Sequence, residues 1–297
     1  MRQFGEDIAE QLERIPATFK VIRHVRPKFA CAGCERVVEA PAPVRPIERG
    51  LAGPALLAHV LVSKYADHQP LYRQSEMYAR EGVHLDRSTM AGWVGAASEL
   101  LTPLLTALQK HVLGGNKLHA DDTPIPVLAP GNGKTKTGRL WTYVRGKPAE
   151  LRQEVRQTRA MPLIDELHKW MEKMLRSLST KSETAGAIRY ALSHWRALTR
   201  YIDHGRLEID NSAAERALRA VALRRKNYLF AGSNAGGDRA AAFYSLIGSA
   251  KLNGLDPELY LRTALAQIAD HPVSRISQLL PWNLLPSPKA NISPKAA

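Results

Sequence analysis

Apolar positions along this chain follow two different periods, and the switches between them divide it. Phe19-Lys-Val-Ile-Arg-His-Val-Arg26 alternates by twos, which predicts a strand. A proline-rich exit, Pro41 to Pro46, reads as a linker. Residues 51–113 then take the helical period. Leu56, Leu57, Val60 and Leu61 make one stripe, and Tyr72, Met77 and Tyr78 mark a short helix ending at Gly82. Ser88 is placed to cap a long helix with Met90, Trp93, Val94, Ala97, Leu101, Leu104, Leu105, Leu108 and Val112 on one buried face. Pro103 should bend that helix, because it lacks one backbone donor.

Residues 116–146 return to strand character. Lys117 to Asp121 is a short strand, Pro124 to Leu128 resumes it past a turn, Pro130-Gly-Asn-Gly133 is a hairpin turn, and Arg139 to Arg145 is the next strand. From 151 to 201 helix periodicity reappears. One stripe runs Leu163, Ile164, Leu167, Trp170, Met171, Met174, Leu175 and Leu178; the next runs Ala185, Ile188, Leu192, Trp195 and Leu198. Asp210 or Asn211 can cap a helix carrying Glu215. A turn over Gly232–Gly237 leads to helices over Ala240–Lys251 and Pro257–Ala269, and the proline- and lysine-containing tail after Trp282 reads as loose.

Composition adds a direction. Forty-two basic residues against 28 acidic ones give a formal charge of +14 over 297 residues. Such an excess favours polyanions, and nucleic acid before others. The N-terminus has no apolar signal core, and the run from Gly50 to Val62 is too short to cross a bilayer. The expected location is cytoplasmic, nucleoid-associated, with no membrane partner. Two cysteines cannot build a disulfide framework. Cys31 and Cys34 have zinc spacing, yet a structural zinc site takes four ligands; His24 is the nearest third, and two idle thiols are the simpler state.

Two acids stand at element edges. Asp121 ends a strand, a rigid place to hold magnesium, although Asp121-Asp-Thr-Pro124 is equally good turn chemistry. Glu215 precedes Arg219 by four residues, so a solvated helix ion pair is its alternative role. The basic run Arg216, Arg219, Arg224, Arg225, Lys226 follows at once and suits DNA phosphates. Leu71 to Val94 has the form of a helix-turn-helix, with Arg87 and Ser88 opening its second helix.

The chain resembles transposases of the insertion-sequence-66 family. The resemblance runs through Phe19-Lys-Val-Ile-Arg-His-Val-Arg-Pro-Lys28, Gly50-Leu-Ala-Gly-Pro54, His59 to Asp67 and Leu118-His-Ala-Asp-Asp-Thr-Pro124. It continues through Gly133 to Trp141, Leu207-Glu-Ile-Asp-Asn211, Ala214-Glu-Arg-Ala-Leu-Arg219, Arg225 to Gly232, Ala250 to Pro257 and Leu279-Leu-Pro-Trp-Asn283. It implies a DDE transposase with an RNase H-like domain that binds element ends and joins them to new DNA through Mg2+ or Mn2+. The family's first acid falls on Asp121 and its last on Glu215; Asp122 stands where the family often has Glu and receives no ligand role. Ser212 replaces a common second Asn.

The family's middle acid lies in a strand reading roughly Asp-x-Tyr-x-Gly-Phe, and no such segment occurs here. An internal deletion near 148–151 is inferred. The resemblance also implies an earlier Cys pair ahead of residue 1, which makes Cys31 and Cys34 half of a zinc-ribbon site that would not hold Zn2+ by itself. The expected fold class is therefore α/β, the remnant of an RNase H-like domain within a mainly helical chain. Its expected segments are a half zinc-ribbon (1–46), a helical helix-turn-helix-like segment (47–115), an incomplete catalytic core (116–238), a C-terminal helical segment (239–285) and a loose tail (286–297). In the family the Asp121 strand sits mid-sheet, so the deletion should expose a strand edge and apolar surface. Expected partners are element-end DNA and either a second copy or an intact transposase. Strand transfer by this chain alone is not expected; a DNA-binding remnant that competes with intact transposase is the alternative.

Overall fold

The structure, a computed structural model, describes residues 18–284 except 49, 116, 130, 132, 147–149, 225–226 and 228–229. The inferred deletion joint and the loose tail thus fall largely or wholly outside the described residues, as do Arg225 and Lys226. The first ordered elements are β1 (Lys28–Ala30) and β2 (Val37–Glu39), a small antiparallel pair. The strand expected over Phe19–Arg26 does not form. Val21, Ile22 and Val25 are exposed, so no sheet face rewards the alternation, and Phe19 instead packs edge-on against Tyr78.

Helices follow: α1 (Pro54–Tyr65), α2 (Leu71–Arg80), α3 (Arg87–Leu100) and α4 (Thr102–Leu113). Gly82 ends the turn after α2 with φ of 82°, a conformation glycine adopts without strain. The long helix expected from Ser88 to Val112 is two helices. The chain breaks at Leu101, and Pro103 sits in the first turn of α4, where its missing N–H costs nothing. The N-cap position of α3 is Asp86 rather than Ser88, and its side chain makes no capping hydrogen bond.

A long hairpin comes next, β3 (Leu118–Leu128) with β4 (Thr135–Arg145). Asp121-Asp-Thr-Pro124 is not a turn; it lies inside one continuous strand. The prolines are tolerated because the outer edge of β3 takes their imino side: the Pro126 carbonyl accepts from Ala231 N–H at 2.8 Å, away from β4. Among the described residues that short parallel bridge at Val127 and Ala231 is the sheet's sole extension.

The chain then enters α5 (Glu150–Val155), a π-helical turn (Arg156–Ala160), α6 (Met161–Ser177), α7 (Glu183–Ser193) and α8 (Trp195–Asp203). The stripe expected to bury α6 is largely uncovered. Met171 is buried, but Leu163, Leu167 and Trp170 are exposed, because none of the described elements lies over them. Leu198 of α8 is exposed as well. The final elements are α9 (Ser212–Arg224), α10 (Asn234–Leu252) and α11 (Pro257–Gln267). Gly236 and Gly237 belong to the first turn of α10 and not to a turn before it. Ser233 caps this helix by accepting from Gly236 N–H at 3.0 Å.

One main core joins α1–α4 to α10, α11 and the segment around Leu279. Leu57, Leu61, Met90, Leu101, Leu104, Phe243, Leu246, Leu261 and Leu265 are all fully buried in it. A much smaller cluster, Leu140, Leu218 and Val221 with Ile125, holds α9 on the hairpin; Ala241 and Tyr244 of α10 connect it to the main core. None of the described helices is long and apolar enough to cross a membrane.

Candidate catalytic and DNA-contact site

Strand pairing decides which side chains can meet. Asp121 is registered with Thr142, and Leu140 with Thr123, so these share one face of the hairpin with His119, Ile125 and Val127. That is the face α9 covers, through Leu218 and Val221. Gly138 belongs to it too: a side chain there would meet Val127 Cγ2 at 2.9 Å, so a larger residue would force Val127 to shift. Asp122 points to the opposite face. It forms an ion pair with Arg139.

The start of α9 is pinned beside Asp121. Asn211 Nδ2 donates to Ala120 O at 3.0 Å, and the Asn211 carbonyl accepts from the N–H groups of Ala214 and Glu215. Asp210 Oδ1 accepts from Ser212 N–H at 3.0 Å; this contact draws the Asp210 carboxyl below its ordinary range. Of the two expected caps, then, Asp210 binds the helix start and Asn211 turns to the strand. Asp121 and the first-turn, exposed Glu215 lie at the same end of the β3–α9 pair. Arg216 and Arg219 are exposed further along α9, and Arg224 is its last residue. Among the described residues no three His, Cys, Asp or Glu side chains gather as a metal site.

A polar hub next to these acids was not foreseen. Glu208 accepts from Lys117 Nζ at 2.6 Å and from Arg156 Nη2 at 3.1 Å, pairs with Arg152, and has His119 Nε2 at 3.7 Å. Arg156 also donates to the carbonyls of Tyr201 and Leu207. One carboxylate thus ties Lys117 just ahead of β3, the helical turns carrying Arg152 and Arg156, and the loop leading into α9. Burial, then the Arg152 and Arg156 charges, lower the Lys117 amine to about 8. Burial and Lys117 likewise lower the His119 imidazole, with Asn211 and Asp210 opposing. The period of two over Lys117, His119 and Asp121 was the available signal, since it puts all three on one face.

The two helices expected over Leu71–Val94 form as α2 and α3, with Arg87 at the first position of α3. Cys31 and Cys34 are exposed free thiols in the turn between β1 and β2, where Glu35 N–H donates to Cys31 O at 2.8 Å. The Gly33 backbone and Cys34 hold the Cys31 thiol below its ordinary value. His24 is exposed and joins no metal-ligand group among the described residues.

Comparisons with known proteins bear on these positions. The transposase IS66 family profile matches residues 49–151 and, as a second segment, 146–239. The IS66 C-terminal element matches 245–282, and the zinc-finger binding domain of transposase IS66 matches 1–35. The uncharacterized protein y4hP of Sinorhizobium fredii is 34% identical over 395 residues, covering 95% of this chain and 71% of the relative. The uncharacterized proteins y4qI and y4jD of the same organism are 34% and 30% identical over 387 and 389 residues, again across 95% of this chain and over 72% and 76% of those relatives. No solved structure matches the chain. With three family segments in order from residue 1 to 282, the chain belongs to the IS66 transposase family.

Proposed function

We propose that this chain binds DNA through its basic surface and does not by itself carry out the strand cleavage and joining of an intact DDE transposase. One observation carries the reading. The family match divides at residues 146–151, and there β4 passes to α5 through only four residues, 146–149. Each relative aligns over 387 to 395 residues, more than this chain's 297, so the relatives hold segments with no counterpart here. The Asp-x-Tyr-x-Gly-Phe segment belongs to the missing part. Uncovered Trp141 and Tyr143, stacked at 6.4 Å on the outer hairpin face, fit the loss of neighbouring elements.

Asp121 and Glu215 are the acids that would hold Mg2+ or Mn2+, ions that polarise phosphate and activate an attacking oxygen when bound. The donor set does not fit a two-ion centre. Two carboxylates offset only half of the charge of two divalent ions, and Asp122 lies on the other face of the strand, paired with Arg139. Cys31 and Cys34 likewise supply two of the four ligands that structural Zn2+ takes. What remains is polyanion binding: Arg216, Arg219, Arg224, Arg225 and Lys226 on and after α9, Arg87 on α3, and a net charge of +14. The partial sheet β3–β4 with α9 against it is the RNase H-like remnant, and a second copy or an intact transposase is the partner this DNA-bound chain would meet at element ends.

Gel shifts on element-end DNA test this reading. Asp121→Ala and Glu215→Ala should leave binding unchanged, while Arg216→Ala with Arg219→Ala should weaken it and lower the salt slope by roughly 0.9 per lost phosphate contact. Binding abolished by either acid-to-Ala change would contradict it.

A further inference from the structure

Away from the β3–α9 face, a groove of about 530 Å3 opens where the helix-turn-helix pair meets the segment following α9. Lys64 at the end of α1, Leu71 and Tyr72 at the start of α2, Arg87 and Ser88 at the start of α3, and Phe230 border it. Its walls are mostly apolar, and among the described residues that line it there is no carboxylate. Tyr72 is 47% exposed and Phe230 is 42% exposed, unusually open for aromatic rings on a concave surface. Arg73 steadies the first ring: its Nε donates to Tyr72 Oη at 3.0 Å, and its guanidinium lies 5.7 Å from the ring centre. Aromatic faces between cationic rims match a nucleotide, which needs a stacking surface for its base and positive charge for its phosphate. Backbone phosphate alone would not need the rings, and an apolar peptide would not need Lys64 and Arg87.

The groove's position relative to the acids gives the idea a length. Phe230 precedes Ala231, which is bonded to β3 at Pro126 and Leu128, while α9 starts beside Ala120. Helix α9 therefore runs alongside β3 in the same direction. Its thirteen residues span about 20 Å, as do the six strand steps from Asp121 to Val127. Arg216 and Arg219 lie between. At about 3.4 Å per nucleotide along one strand, the groove is roughly six nucleotides from Asp121.

We propose that this groove holds an unpaired nucleotide of bound DNA, its base against Tyr72 and Phe230 and its phosphate against Lys64 and Arg87. The proposal rests on the DNA-binding reading above and adds the site that prefers unstacked over paired DNA. The test uses the full chain with a blunt duplex and with the same duplex bearing a six-nucleotide single-stranded tail that carries 2-aminopurine. The parent should bind the tailed duplex about tenfold more tightly and change the emission of the probe on binding. Tyr72→Ala and Phe230→Ala should each remove that preference, and Tyr72→Phe should keep it. Arg216→Ala with Arg219→Ala should weaken both duplexes alike. Both rings are well exposed, so their removal leaves the core intact, which circular dichroism would verify. A parent that binds both duplexes equally, or ring variants that keep the preference, overturns the groove proposal alone. A parent that binds neither overturns the DNA-binding reading together with it.

Discussion

The two halves of this molecule are built to different standards. The helical half, α1–α4 with α10 and α11, buries large side chains such as Phe243, Leu61, Met90 and Leu265 in one continuous core. The hairpin half, β3–β4 with α5–α9, has a cluster centred on three residues and leaves Trp141, Tyr143, Leu163 and Trp170 exposed. Hydrophobic burial stabilises the first; polar pins (Glu208 and its cations, Asn211 to Ala120) hold the second. The helical half is thus held by a continuous apolar core, and the hairpin half by a small apolar cluster and polar contacts.

The contrast should be plainest under mutation. Phe243→Ala should cost about 3–5 kcal/mol, whereas the equally large truncation Trp170→Ala should stay within about 0.5 kcal/mol; urea unfolding compares them. A similar cost for both would mean the α6 stripe is covered in solution. Next in size, Glu208→Gln should destabilise the hairpin half by about 1–3 kcal/mol, since three cations of low exposure lose their counter-charge. Hydrogen exchange should show faster opening of β3 with little change in α10 if the halves are separately held.

Alkali should act on the halves with opposite sign. Lys117 is lowered to about 8, so between pH 8 and about 10.5 the unfolded chain binds more protons than the folded one, and stability rises with pH. Burial raises Tyr78 to about 12 and also raises Tyr260, so above about pH 10 the folded chain binds more protons and stability falls. Exchange protection followed from pH 8 to 11 should therefore strengthen first in β3 and weaken later in α2 and α11, and Lys117→Met should remove the first change only. The smallest effect belongs to Asp122→Asn. Its partner Arg139 is largely exposed, so the loss should be about 0–1 kcal/mol in thermal unfolding, without effect on DNA binding.

Much of the helical half was legible in the chain. The period of three and four residues finds α2 and its glycine stop, the two later helices, and the α3–α4 face almost residue by residue. The break at Leu101 is hidden because Pro103 is as acceptable in a first turn as it is at a bend. In the hairpin half local rules misled. Asp121-Asp-Thr-Pro124 has turn chemistry, but eleven paired positions outweigh it, and the prolines face the edge away from β4. The α6 stripe was read as buried because an amphipathic pattern marks a face suited to burial without saying what covers it, and Leu163, Leu167 and Trp170 are exposed. The pairing of Asp121 with Glu215 rests on the family resemblance, since local pattern gives each of them an ordinary alternative. Glu208 was not legible, since its three cationic partners lie at positions 117, 152 and 156.

The proposed function pairs DNA binding with the lack of end joining. Purified protein incubated with element-end DNA and Mg2+ or Mn2+, resolved on a denaturing gel, tests it most directly. Intact strands alongside a clear gel shift are expected; site-specific nicking or joined products that disappear in Asp121→Asn would contradict the proposed function.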